Sequence, residues 1–140
     1  MLVLVGAGLC LGEGFKQSGL SATIASVFSG IESLPLLALL LGIALLVTFL
    51  TEMTSNTATT NVLMPILGAA ATASNLDPIL LMIPAAMSAS CAFMLPVATI
   101  PNAVVFGTGE ITVRRMAREG FVLNILGALV VSVICYLLLS

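Results

Sequence analysis

The stretch TEMTSNTATTN, residues 51–61, carries one carboxylate, Glu52, no lysine or arginine, and a dense set of hydroxyl and amide side chains. It lies between two strongly apolar runs, LPLLALLLGIALLVTFL (34–50) and VLMPILGAAATA (62–73). In water such a run would be an ordinary loop. Between these flanks it is a polar segment at membrane depth, where irregular backbone is tolerated only if protein or a water-filled cavity satisfies its polar groups. The segment therefore predicts a cavity.

The composition of the whole chain agrees with that setting. Of 140 residues, 60% are hydrophobic and 7% charged, and the mean hydropathy is +1.26. These values are far from those of a soluble domain and indicate an all-α integral membrane protein. A net charge of −2 spread over so few ionisable groups gives no basic patch for phosphates and excludes a nucleic-acid partner. Cys10, Cys91 and Cys135 are an odd number scattered through apolar segments, which reads as buried free thiols and not a disulfide framework. With no histidine, no metal-ligand cluster and no nucleophile–base pair, the chain is not read as an enzyme, and no cofactor is expected.

Several segments flank the central run. MLVLVGAGLCLGEG begins apolar without a basic n-region, so it reads as part of a helix, not a signal peptide. A start in mid-hydrophobic stretch also fits a piece of something longer. Gly6, Gly8 and Gly12 lack the spacing and the strand–helix context of a dinucleotide site and suit helix packing. Residues 15–33 place Leu20, Ile24, Val27, Phe28 and Ile31 on one helical face. That face suits either a helix lying on the membrane surface or a connection packed on neighbouring helices.

Leu34–Leu50 would cross roughly 25 Å of membrane, whereas Val62–Ala73 would cover only about 18 Å of a hydrocarbon core near 30 Å. These two arms predict a hairpin that dips into the membrane with Ser55-Asn56-Thr57 near its tip. NLDP (75–78) is a turn holding the one charge between Glu52 and Glu110. From Pro78 to Gly109 the chain is uncharged, apolar and interrupted by PVATIPN (96–102), the pattern of a broken transmembrane helix. Arg114, Arg115 and Arg118 crowd the loop before a last span, Phe121–Leu139, and place that loop in the cytoplasm. Asp77 is then outside, and the lack of Lys and Arg in 51–61 makes the hairpin enter from outside.

Ser55, Asn56 and Thr57 are good N-cap residues, and a helix starting after them would aim free amides and its positive dipole end into the cavity. PVATIPN repeats the device with Thr99 before the first turn, Pro101 within it, and the amide of Asn102 on offer. Two helix amino termini would then face one anion, and the carbonyl oxygens freed at the breaks suit a hard cation such as sodium. Glu52 reads either as an intramembrane functional acid or as a side chain reaching water in the cavity. The bland reading of any single residue is a hydroxyl bonded back to its own helix, or a proline kink.

SASCAFMLPVATIPNAVVFGTG (88–109) closely resembles the signature of the divalent anion:sodium symporter family, and TEMTSNTATTNVLMP (51–65) resembles the second of that family's two Ser-Asn-Thr segments. The resemblance runs from about Val3 to the last residue. It implies a helical fold of two inverted repeats, each with a re-entrant hairpin and a broken helix, in a multi-pass protein of the cell membrane that assembles as a homodimer and moves its substrate domain as an elevator. Sodium entry would drive uptake of a dicarboxylate, citrate or sulfate. By motif, Ser55, Asn56, Thr57 and Thr99 would contact the anion, and sodium would use oxygens around Thr51, Thr54, Asn56 and Ala98. The expected divisions are a scaffold helix end and surface arm (1–33), the hairpin (34–76), the broken helix (77–110), and a cytoplasmic loop with the last span (111–140). Ile100 stands where the family often has proline, which bears on the choice of anion. With one Ser-Asn-Thr segment, the chain is expected to correspond to part of the second repeat, its amino-terminal counterpart lying outside these 140 residues. A small membrane scaffold or assembly subunit is the alternative from a different class.

Overall fold

In the computed structural model, the described residues are 35–139 together with Gly6, Cys10, Gly14, Gln17, Ser18 and Gly19. The expected scaffold end and surface arm at 1–33 otherwise lie outside them. Five helices occupy the continuous part: α1 (Leu36–Thr51), α2 (Asn56–Ala73), α3 (Pro78–Ser88), α4 (Ile100–Gly107) and α5 (Val113–Leu139). The all-helical expectation holds. By length and composition, α5 is the one helix among the described residues that is long and apolar enough to cross a membrane.

Local chemistry accounts for most helix ends. Pro35, extended at φ −60° and ψ 140°, precedes α1. The turn after α2 closes when the Leu76 N–H donates to the Ala71 carbonyl at 2.9 Å and the Asn75 N–H to the Thr72 carbonyl at 3.3 Å, with Asn75 at φ 54°. This is the paired bonding of a helix carboxyl-terminal cap, with asparagine taking the left-handed position. Asp77 caps α3 by accepting from the Ile79 N–H at 2.9 Å, and Pro78 fills the first turn.

Three boundaries differ from the sequence expectation. α2 starts at Asn56, so the second arm has 18 residues and is about 27 Å long, because the polar residues 56–61 continue the helix. α5 starts at Val113, eight residues before Phe121, so Arg114, Arg115 and Arg118 stand exposed on its first turns and not in a loop. The Thr112 hydroxyl accepts from the Arg115 N–H at 3.4 Å at this start. The largest difference is α3, which ends at Ser88 and leaves residues 89–99 irregular, a break that begins well before PVATIPN. No proline or glycine stops the helix there; the cause lies in tertiary partners described below.

α1 packs mainly on α5 and α3, and α2 mainly on α3, while α1 and α2 touch only briefly. The two arms of the expected hairpin are thus held apart by a shared partner. The core joins Leu40, Ile43 and Val47 of α1, Leu67 and Ala71 of α2, Leu81 and Ala85 of α3, Ala89 just beyond it, and Val131 and Cys135 of α5. The rings of Phe49 and Phe121 meet at 5.6 Å. Polar residues are buried (Thr48, Thr51, Glu52, Ser88, Asn124, Ser132), while large apolar ones such as Val130, Leu137 and Leu138 face outward. That inversion suits a lipid surround, where burying apolar groups gives no drive and polar groups must find partners inside. The three cysteines are free, as expected, but only Cys135 is buried; Cys91 is half-buried and Cys10 exposed.

Candidate functional site

The tip between α1 and α2 and the last part of the break before α4 line one open cleft of about 570 Å³, formed by residues 52–57 and 97–101. Ser55 is the backbone N-cap of α2, extended at φ −65° and ψ 132°, with its side chain making no cap bond. Helix geometry leaves the amides of Asn56 and Thr57 without intrahelical partners, and both residues line the cleft. Across from them, Thr99 caps α4 by accepting from the Asn102 N–H at 3.3 Å, with Pro101 in the first turn. Ser55, Asn56, Thr57 and Thr99 therefore lie around one space, contributed by two helix amino termini. No lysine or arginine lines it, and the one charged residue at its edge is Glu52, so the positive ends available to an anion are those of the peptide dipoles.

The oxygens expected around a cation are distributed unevenly. Thr54 and Ala98 line the cleft. Thr51 is fully buried behind it, its hydroxyl bonded to Asn56 Oδ1 and also 2.9 Å from the Ala89 carbonyl. The Thr54 hydroxyl donates to the Leu50 carbonyl at 2.9 Å and lies 2.5 Å from the Thr59 hydroxyl. Thr51, Asn56 and Ala89 thus bring three oxygens together at the joint between tip and break, and Ala89 was not anticipated.

Asn102 corrects an expectation. Its amide is not offered to the cleft; it turns inward and donates to the carbonyls of Ala92 at 2.9 Å and Leu95 at 3.0 Å. Eleven residues of irregular backbone leave carbonyls that no helix satisfies, and Asn102 supplies two of the missing donors.

Glu52 is 4% exposed, and although it borders the cleft its carboxylate is bonded within the break. Oε1 accepts from the amides of Phe93 at 2.7 Å and Met94 at 2.9 Å and from Asn124 Nδ2 at 2.7 Å; Oε2 accepts from the Leu95 amide at 3.0 Å. This carboxylate takes the amides of Phe93, Met94 and Leu95 that a continued α3 would have bonded to its own carbonyls, so the helix does not run on through 93–95. Glu52 is thus a buried acid at the edge of the cleft, closer to the intramembrane reading than to a side chain extended into water. Asn124 was missed altogether, although it is the one amide side chain within Phe121–Leu139 and a polar group in an apolar span calls for a partner.

Over residues 1–139 the sequence matches the family described as the sodium:sulfate symporter transmembrane region. The chain belongs to this family. It is 47% identical over 138 residues to the sodium-dependent dicarboxylate transporter SdcS of Staphylococcus saprophyticus, covering 99% of this chain and 27% of that protein. It is 44% identical over 132 residues to the human solute carrier family 13 member 2, covering 94% of this chain and 22% of that protein. The protein called SdcS in Staphylococcus aureus strain USA300 is 40% identical over 136 residues. The chain spans about a quarter of the length of these relatives, 22–27%. By name they are transporters, not enzymes, and membership of a transmembrane family agrees with the buried polar and exposed apolar pattern of the helices.

Proposed function

We propose that this chain supplies one side of the substrate site of a sodium-coupled transporter for a divalent anion, a dicarboxylate, citrate or sulfate. The observation that carries the reading is the pair of helix amino termini, α2 and α4, meeting over one cleft without a cationic side chain. An anion there is held by backbone amides, hydroxyls and dipole ends, which bind it without the desolvation cost of burying lysine or arginine. Ser55, Asn56, Thr57 and Thr99 are its contacts. Sodium, as the coupling ion, takes the oxygens of Thr51, Thr54, Asn56 and Ala98, and the Ala89 carbonyl joins them: the Thr51 hydroxyl has one hydrogen and two acceptor neighbours, an arrangement that a hard cation relieves.

In this reading α1 and α2 (residues 34–76) form a re-entrant hairpin entering from outside, 77–110 form the broken helix, and 111–140 the short cytoplasmic turn and last span, with 1–33 as scaffold end and surface arm. The working protein is a multi-pass homodimer of the cell membrane in which an amino-terminal repeat supplies the opposite side of the anion. Ile100, 82% exposed in the cleft, is placed to influence which anion fits.

The test uses the two Ser-Asn pairs of the chain, in the full-length protein. Asn56→Ala removes a cleft amide and a sodium oxygen, and sodium-dependent succinate uptake should fall at least tenfold, since one hydrogen bond to a charged group contributes roughly 1.5–3 kcal/mol. Asn75→Gly is the control, because glycine accepts the left-handed conformation at that turn without strain; uptake should stay near wild type. Equal loss in both variants at equal surface expression would remove the cleft assignment.

A further inference from the structure

An ionised carboxylate in a low-dielectric interior carries a desolvation cost of several kcal/mol unless donors surround it. Glu52 has four: three consecutive backbone amides, of Phe93, Met94 and Leu95, and the side-chain amide of Asn124. Three of these donors converge on Oε1 and one on Oε2, so the carboxylate is held chiefly through Oε1. Consecutive amides converging on one acceptor form an anion-binding concavity, and here its occupant belongs to the protein itself. Asn124 also accepts from the Phe93 amide through Oδ1 at 3.2 Å, closing the contact between the break and α5.

A second, independent observation places the same three elements in register. Gly120 of α5 lies one turn before Asn124, and a Cβ built there would stand 2.3 Å from the Phe93 carbonyl oxygen and 2.6 Å from Met94 Cα. The backbone of the break therefore rests directly on α5, its amides turned to Glu52. The hairpin tip, the break and α5 meet at one point, through partners 41 to 72 residues apart in sequence.

We propose that Glu52, seated in the amide concavity of Phe93, Met94 and Leu95 with Asn124 as its side-chain partner, is a positioning residue: an internal anion that fixes the break against the hairpin tip and α5. Because it fills the first set of free amides in the break, the transported anion is left with the amino termini of α2 and α4. Glu52 is then not a ligand of the transported anion, although it borders that cleft. This role rests on the transport reading of the cleft for its functional consequence, and on the hydrogen bonds alone for its structural one.

An exchange of the two polar groups tests it in the full-length protein. Amide hydrogen exchange is followed in the peptide spanning residues 89–99, with a peptide from α1 as reference, and sodium-driven succinate uptake is measured in proteoliposomes. Glu52→Gln turns an amide against amide donors, and Asn124→Asp sets carboxylate against carboxylate. Each should raise exchange at 93–95 and lower uptake by at least tenfold, with the α1 peptide unchanged. The double variant E52Q/N124D restores one carboxylate and one amide to the joint, and should recover protection and uptake to within about fivefold of wild type. Should E52Q not accumulate, Asn124→Ala, which keeps the carboxylate, takes its place and should also speed exchange at 93–95 selectively. Unchanged protection at 93–95 in the single variants, or a double variant no better than the worse single, overturns the proposal, as a residue that ligates the transported ions is not rescued by moving its charge to α5. Absence of sodium-dependent uptake in the wild-type protein overturns the transport reading instead, and the exchange contrast still decides the positioning role.

Discussion

Replacing Gly120 by alanine tests the joint between α5 and the break by sterics alone. The added Cβ would lie 2.3 Å from the Phe93 carbonyl oxygen, 2.5 Å from its carbon and 2.6 Å from Met94 Cα, all backbone atoms that cannot rotate away. Ordinary contact begins at 3.4 Å, so the break must withdraw from α5 by about 1.1 Å. The amides of Phe93, Met94 and Leu95 now reach Glu52 at 2.7–3.0 Å, and a displacement of that size carries at least one of them beyond hydrogen-bonding range. Overpacking costs about 1–3 kcal/mol and a lost charge-assisted bond about 1.5–3 kcal/mol, against a gain of about 1 kcal/mol from alanine in a helix. The expected net loss is about 3 kcal/mol. Gly127, two turns along the same helix, supplies the control: a Cβ there meets Cys91 Sγ at 3.5 Å and its Cβ at 3.6 Å, ordinary contact, so Gly127→Ala should be neutral or stabilise by up to about 1 kcal/mol. Thermal unfolding of the purified proteins in detergent, followed by loss of the monodisperse peak, measures both. A Gly120→Ala protein as stable as Gly127→Ala would refute the close approach of the break to α5, and with it the seating of Glu52.

Two further outcomes are expected, one from the geometry of the break and one from the arginine pattern. Asn102→Ala removes both donors to the carbonyls of Ala92 and Leu95, at a cost of about 1–3 kcal/mol, and should lower the unfolding midpoint while leaving helix content intact; an unchanged midpoint would contradict the inward-turned amide. In a background lacking Cys10, Cys91 and Cys135, a cysteine replacing Asp77 should react with an impermeant thiol reagent from outside and one replacing Arg115 only from inside, and the opposite sidedness would reverse the proposed orientation.

The sequence by itself determined whatever depends on chemistry within a few residues. Hydropathy along the chain sets the solvent of the helices, and Pro35, Asp77-Pro78 and Thr99-Ile100-Pro101 mark helix starts because prolines and caps act on the adjacent turn. The polar tip at 51–61 was legible for the same reason, as were the cleft residues Ser55, Asn56, Thr57 and Thr99, since a helix terminus announces itself locally. The start of α5 was misplaced because charged residues end an apolar run without ending a helix: Arg114, Arg115 and Arg118 are good helix formers.

Only the tertiary structure decided where α3 stops, what Glu52 does, which way Asn102 turns and why position 120 is glycine. Nothing in SASCAFML halts a helix. A carboxylate 41 residues away holds the Phe93 amide that a continued helix would have used, and Asn124, 72 residues from Glu52, completes the contact. Such partners leave no local mark because the free energy of the contact exists only when three elements are already side by side, and a single sequence records each residue without recording its neighbour in space.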